Sequence, residues 1–228
     1  REKLFNFVSG NGHEADIINL LKGGLDKQNK YPWQSVNYLE SHDDYTLIDR
    51  LCSTEEWNNS SPPEDAVNRA KLAIGLLLLC PGIPMLASGQ DYLRSKNGVR
   101  NTYKRADLNA LDYDKLSILE YIHVWTKDFI RFRMSELGSL VRAKKFLSSD
   151  QYEIIKGDKN CFAVIVKEEA DKQTNKILLI LVNGAENENH IELPKYLNEL
   201  NLQQLLGEKS TSMGTIQAIN LQVWGTKI

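Results

Sequence analysis

The sequence predicts a parallel α/β unit followed by an all-β unit that ends in an antiparallel β-sandwich. Two observations carry that reading. Short apolar runs at Val36–Leu39 and Ile83–Ala87 alternate with helical patterns, and polar residues follow each run. After about Ser139 the chain changes to six or more short strand-like runs separated by polar turns. The boundary is placed near Leu137–Ser139, giving units over 1–138 and 139–228.

Size and composition narrow the classes. A chain of 228 residues makes one large domain or two modest ones, and 42% hydrophobic residues can fill a core. The formal net charge of −2 is spread along the chain, so no basic face marks a nucleic-acid partner. The longest apolar stretch, Leu72 to Leu86, is interrupted by Pro81, Gly82 and Pro84 and does not read as a membrane span. Three cysteines without a CxxC pair argue against a disulfide framework or a thiolate zinc site. Cys80 and Cys161 sit in apolar runs and are expected in the core. No metal and no cofactor is expected. The chain opens on Arg-Glu-Lys, with neither an initiator methionine nor a signal pattern, which fits a piece of a longer protein.

Taken in order, Leu4–Val8 is an apolar run and Glu14–Lys22 a helix, with Ile17, Ile18, Leu20 and Leu21 on its buried face and Gly23-Gly24 ending it. Val36–Leu39 is a short buried strand, and Tyr45–Trp57 a short helix and loop. Ser61-Pro62-Pro63-Glu64 reads as a helix start with Ser61 as cap and Glu64 as in a capping box. The helix that follows, to Leu79, becomes apolar all round and should be deeply buried. Ile83–Ala87 is a second strand, ending at Ser88-Gly89-Gln90-Asp91. A further helix spans Leu116 to Phe132, where Tyr121, Trp125, Phe129 and Phe132 form a core stripe. Gln151–Ile155, Cys161–Glu168, Lys176–Asn183, Ile191–Leu193, Leu202–Leu206, Ile216–Ile219 and Leu221–Trp224 supply the later strands.

The chemistry concentrates at the end of the first strand. Glu40, His42, Asp43 and Asp44 place three carboxylates and an imidazole within five residues. Groups so close perturb one another's protonation. The cluster suits a cation, a developing positive charge or a ring of hydroxyls. A His-Asp metal pair of the phosphohydrolase kind would sit on a helix with further histidines, but this pair follows a strand, and His13, His123 and His190 lack metal-like spacing. Arg94, Lys96 and Arg100 could be an anion site, though their loop favours structure or substrate contact. Glu40 reads as a supporting carboxylate. Trp33, Trp57 and Trp224 could stack on sugars, with packing the preferred reading for each.

Tyr38-Leu39-Glu40-Ser41-His42-Asp43-Asp44-Tyr45-Thr46-Leu47 resembles the last signature region of the α-amylase superfamily of glycoside hydrolases. The nearest form is the Tyr-x-Glu-Ser-His-Asp-Asn-x-Thr-Leu string of pullulanases and other debranching enzymes. Gly82-Ile83-Pro84-Met85-Leu86-Ala87-Ser88-Gly89-Gln90-Asp91 resembles the eighth barrel strand and its exit. Leu93-Arg94-Ser95-Lys96, Arg100-Asn101-Thr102-Tyr103 and Asn109-Ala110-Leu111-Asp112-Tyr113 follow in the family's order. The resemblance implies the last two βα units of a TIM (β/α)₈ barrel followed by a C-terminal β-sandwich. It implies Asp43 as the stabiliser of the transition state and His42 as the imidazole that binds sugar hydroxyls. Asp44, Arg94, Asn101 and Tyr103 would meet the substrate. The chain departs from the pattern with Asp44 in place of Asn, Asp91 in place of Glu, and Ala87-Ser88 in place of bulkier or more polar pairs.

A retaining glycosidase needs a nucleophile and an acid/base about 5 Å apart. In this superfamily both arrive on earlier strands, and neither signature is found before residue 36. A whole barrel takes about 250 residues. The expectation is therefore a C-terminal part of an enzyme on α-glucans, inactive alone, whose parent cleaves α-1,6 bonds with retention. Its partners would be the α-glucan and either the missing N-terminal part of the barrel or a second copy. The alternatives are an α-1,4-acting or transglycosylating parent, or a non-catalytic carbohydrate-binding or assembly module.

Overall fold

The computed structural model describes residues 1–23, 30–52, 61–142, 147–170, 174–210 and 212–226. The expected capping role of Ser61 fails: helix α4 (Glu64–Leu79) starts one residue after Pro63, whose fixed φ suits a helix entry, and Ser61 lies outside the first turn. Before it come α1 (Glu2–Val8), which is the Leu4–Val8 apolar run, then α2 (Glu14–Leu21), strand β1 (Val36–Tyr38) and α3 (Leu47–Leu51). After it come β2 (Ile83–Met85), the single turns α5 (Ala106–Asn109) and α6 (Asp114–Ile118), and α7 (Glu120–Met134). The single helix expected over Leu116–Phe132 is thus two helices, broken at Leu119. Trp57 lies outside the described residues.

β1 and β2 pair in parallel, with Val36, Asn37 and Tyr38 opposite Ile83, Pro84 and Met85. The α3–α4 crossover joins them, since parallel neighbours cannot be linked by a tight turn. Pro84 lacks an N–H and is tolerated because β2 has no further strand beside it among the described residues. One face of this pair is open: Val36 is 54%, Ile83 49% and Met85 38% exposed.

α4 is the centre of the packing. It touches α1, α3, α7 and the later strand β9 (Asn220–Gly225), and residues from Leu72 to Leu79 are buried all round. Gly75 permits this approach, because a Cβ there would stand 2.5 Å from Leu221 Cδ2 and 3.2 Å from the Phe129 ring. On α7, Phe129 and Phe132 are buried and Trp125 packs at the core margin, as the stripe predicts, but Tyr121 is half exposed. The stripe wraps farther round the helix than the surface it covers.

The C-terminal half is an antiparallel sheet in the order β3 (Tyr152–Lys156), β4 (Cys161–Ala170), β5 (Thr174–Asn183), β9 and β7 (Gln203–Leu206). Strand alternation divides its residues between two cores. Phe162, Val164, Leu178, Ile180, Leu221 and Val223 join the helices in one cluster. Cys161, Ala163, Ile165, Leu179 and Leu181 face a second, beneath the ribbon β6 (Asn189–His190) with β8 (Thr215–Ile216) and the single turn α8 (Tyr196–Glu199). Among the described residues this ribbon and turn cover the second cluster, and the first cluster holds residues from both sides of Leu137. The strand expected over Ile191–Leu193 sits two residues earlier.

Arg133 fixes the parallel pair to the helices. Its guanidinium is buried and donates to Leu78 O at 2.6 Å, Cys80 O at 3.0 Å and Gly82 O at 2.7 Å. These carbonyls close α4 and open β2, where a helix end otherwise leaves acceptors unpaired. Replacing Arg133 with Met should cost about 3 kcal/mol in urea unfolding, because three buried carbonyls lose their donor. Arg131→Ala, which removes an exposed pair with Asp128, should stay within about 0.5 kcal/mol.

Candidate active site

The carboxyl ends of β1 and β2 lie side by side because the strands run parallel in register. The loop leaving β1 carries Glu40 to Asp44, and the loop leaving β2 carries Arg94 to Tyr103. In α/β folds ligands bind at this end of the strands. A cavity of about 390 Å³ opens there, lined by Glu40, Ser41 and His42 from one loop and by Met85–Ser88, Arg94, Tyr103 and Asn109 from the other.

His42 lines this cavity, and Asp43 is the next residue along the same loop. Their side chains are 88% and 71% exposed, with Nε2 of one 3.5 Å from Oδ1 of the other. They are thus presented to solvent, with the protein bound to neither strongly. Tyr103 is also open, at 77% exposure, and Lys104 lies over its ring. Arg94 is directed by Gly89: its amide donates to Gly89 O at 2.9 Å, and a Cβ on Gly89 would lie 2.9 Å from Arg94 Cβ. Nη1 of Arg94 donates to Asn109 O at 3.2 Å.

Asp44 is turned toward the protein and is bonded to the exposed Asn101. Asp44 has φ 63°, a left-handed conformation that Asp tolerates better than most residues. Its amide donates to Asn101 Oδ1 at 3.0 Å. Its carboxylate accepts from Arg100 Nε at 2.8 Å and Arg1 Nη2 at 3.3 Å, and Lys96 Nζ donates to its carbonyl at 2.6 Å. Partial burial pushes the Asp44 carboxyl up, but the Arg100 hydrogen bond and charge outweigh it and hold the group below its usual range.

Beneath this surface lies a buried layer. Glu40, only 2% exposed, accepts a short hydrogen bond from the Leu47 amide at the start of α3. Burial pushes its carboxyl up to about 7, against the Leu47 bond and the charge of Arg94. Asp49 is equally buried; it accepts from Ser95 Oγ at 2.5 Å and from the Lys96 amide at 2.8 Å. Burial, and then the charge of Arg94, lower the Lys96 ammonium from its ordinary value. Sequence reasoning marked Glu40 as support and Lys96 as a structural or substrate contact, but missed Asp49. A signal for Asp49 was present: Thr46 caps α3 by accepting from the Asp49 amide at 3.2 Å, a Thr-x-x-Asp spacing.

Among the described residues no group of three or more His, Cys, Asp or Glu could hold a metal ion, and no helix is long and apolar enough to cross a membrane. The arrangement offers an imidazole, a cation and a tyrosine around one cavity, with an exposed carboxylate, Asp43, next to the imidazole. Such groups can hydrogen-bond a polyhydroxylated ligand and stabilise positive charge at one of its atoms. Exposed and supporting residues should separate in stability measurements. His42→Ala and Asp43→Asn should leave the denaturation midpoint within about 0.5 kcal/mol of the parent. Asp49→Ala, which strands the Ser95 hydroxyl and the Lys96 amide, should cost about 2–3 kcal/mol.

No family model matches the chain. It is 40% identical over 120 residues to a pullulanase of Bacillus subtilis (strain 168), covering 50% of this chain and 16% of that protein. It is 32% identical over 123 residues to an isoamylase of Flavobacterium sp, covering 45% of this chain and 16% of that protein. A mutant pullulanase from Paenibacillus barengoltzii, solved in complex with maltotetraose, superposes with a TM-score of 0.77 at 22% identity, over 96% of this chain and 35% of that one. At that identity the likeness concerns the fold. The chain spans about a sixth of these two curated relatives, at 16% of each. Its homologues are thus pullulanase, isoamylase and, at 25% identity, glycogen debranching enzyme, and the chain resembles one part of a pullulanase-like glycoside hydrolase.

Proposed function

We propose that this chain is the C-terminal part of a glycoside hydrolase acting on α-glucans, whose parent hydrolyses α-1,6 bonds with retention. β1 and β2 are then the last two strands of a (β/α)₈ barrel, over residues 1–138. The antiparallel sheet with its ribbon forms the terminal sandwich, over 139–228. The observation that carries this is the His42–Asp43 pair, exposed at the carboxyl end of β1 beside a cavity, in a chain 40% identical to a pullulanase over 120 residues.

The chemistry follows from the geometry. Glycoside cleavage passes through an oxocarbenium-like state, and a carboxylate close to the reacting sugar stabilises it as charge develops. Asp43 takes this role. His42 hydrogen-bonds the sugar hydroxyls beside it, and Arg94 and Tyr103 meet the glucan from the opposite loop. Asp44 and Asn101, expected from the resemblance to touch substrate, are bonded to each other, and Asp44 also to Arg100, Lys96 and Arg1, so they hold the loop that carries the pair. The nucleophile and acid/base come from barrel strands outside these residues. The open face at Val36, Ile83 and Met85 supports that arrangement, because parallel strands are normally covered on both faces.

The purified chain should release no reducing sugar from pullulan or maltotetraose; sustained release would refute the assignment of the missing groups. Residues 1–138 should also replace the matching segment of the Bacillus subtilis pullulanase with activity retained. In that chimaera Asp43→Asn should lower kcat about a thousandfold or more while KM changes little. Binding of glucan by a chimaera that never turns over would favour the non-catalytic module instead.

A further inference from the structure

We infer that Glu40 is a positioning residue that closes the loop bearing His42 and Asp43 and couples its closure to a proton. The inference rests on the reading of that pair as the working groups. Glu40 stands at the exit of β1, and Leu47 begins α3. Their hydrogen bond therefore spans the base of the loop and pins both of its ends. One oxygen is used in this way; the other, Oε1, is buried without a hydrogen-bond partner among the described residues. Nε of Arg94 is likewise buried and unpaired, on a residue lining the same cavity.

The charged groups around Glu40 set the sign. Arg94 and Lys96, from the loop after β2, favour its ionised form. Asp49, from α3, opposes it, and desolvation outweighs all of them. His42 lines the same cavity from Glu40's own loop. A carboxyl raised to about 7 in the closed loop and near its ordinary value in the open loop binds its proton more tightly when closed. Closure is then fully favoured below the ordinary carboxylate pKa and weakens as pH rises through about 7. Asp44 is held by Arg100, Arg1, Asn101 and Lys96 independently of this proton, so opening would begin at the Glu40–Leu47 end.

The test is amide hydrogen exchange on the whole chain, corrected for intrinsic rates, with a direct titration of the Glu40 carboxyl. In the parent, protection at Leu47 and across residues 42–46 should fall about tenfold to a hundredfold between roughly pH 5 and pH 8. Strands β4 and β5 should show no such change. Glu40→Gln keeps an acceptor for Leu47 but cannot ionise, so the loop should stay protected with a flat pH profile. Glu40→Ala should leave it unprotected at every pH. Titration of Glu40 in the ordinary carboxylate range, or an unchanged pH profile in Glu40→Gln, would overturn the inference. No sugar enters the measurement, so failure of the glucan reading registers separately, in the chimaera.

Discussion

Two buried carboxylates under one loop are the constraint on which the site depends. A carboxylate removed from water must find donors or neutralise. Asp49 finds the Ser95 hydroxyl and the Lys96 amide, and Glu40 finds the Leu47 amide. These bonds join the exit of β1, the first turn of α3 and the loop after β2. With those three pieces fixed to one another, Lys96 can reach the carbonyl of Asp44, and the left-handed turn at Asp44 is held from both sides. His42 and Asp43 are left at the crest, exposed, while the backbone beneath them is tied down. A group that stabilises charge in a transition state works best when its position is settled before the charge appears.

The layer below repeats this logic with apolar packing. α4 is buried on nearly every side, and Gly75 lets it approach both α7 and the terminal sheet. The sheet is therefore one wall of the core that supports the strand pair, and Arg133 bolts the strand pair to α7. The helices around the strand pair and the terminal sheet therefore share one apolar cluster. The sheet's other face is sealed by the ribbon and α8, so its hydrophobic demand is met locally. The strand pair is different. Val36, Ile83 and Met85 remain open.

Much of this was legible in the residues. Both parallel strands, the long helix before β2 and nearly every later strand follow from apolar runs bounded by turn residues, although the first two strands, expected to be buried, keep Val36, Ile83 and Met85 exposed on one face. The break at Leu119 and the exposure of Tyr121 did not show, since periodicity reports a helix but not how far its neighbours reach around it. The cap was misread at Ser61 because two prolines compete to start the same helix. At the carboxyl end of β1, the sequence singled out His42 and Asp43 through a string of neighbours, and the fold leaves both exposed. The division of labour around them was not legible: Asp44 and Asn101 look like ligand-binding residues in sequence, and only the fold shows them bonded to one another. Lys96 was read with Arg94 and Arg100 as an anion site or, by preference, a structural or substrate contact, and at 1% exposure it is a structural one.

The most direct test is a titration of maltotetraose into isotope-labelled chain, followed by the side-chain signals of His42, Tyr103 and Arg94. If the carboxyl end of the strand pair is a glucan-binding corner, these signals should shift together and saturate along one curve. The ribbon of the terminal sheet should stay silent, and His42→Ala should weaken the response. Shifts confined to the terminal sheet or to Trp33, or none at any attainable concentration, would contradict it.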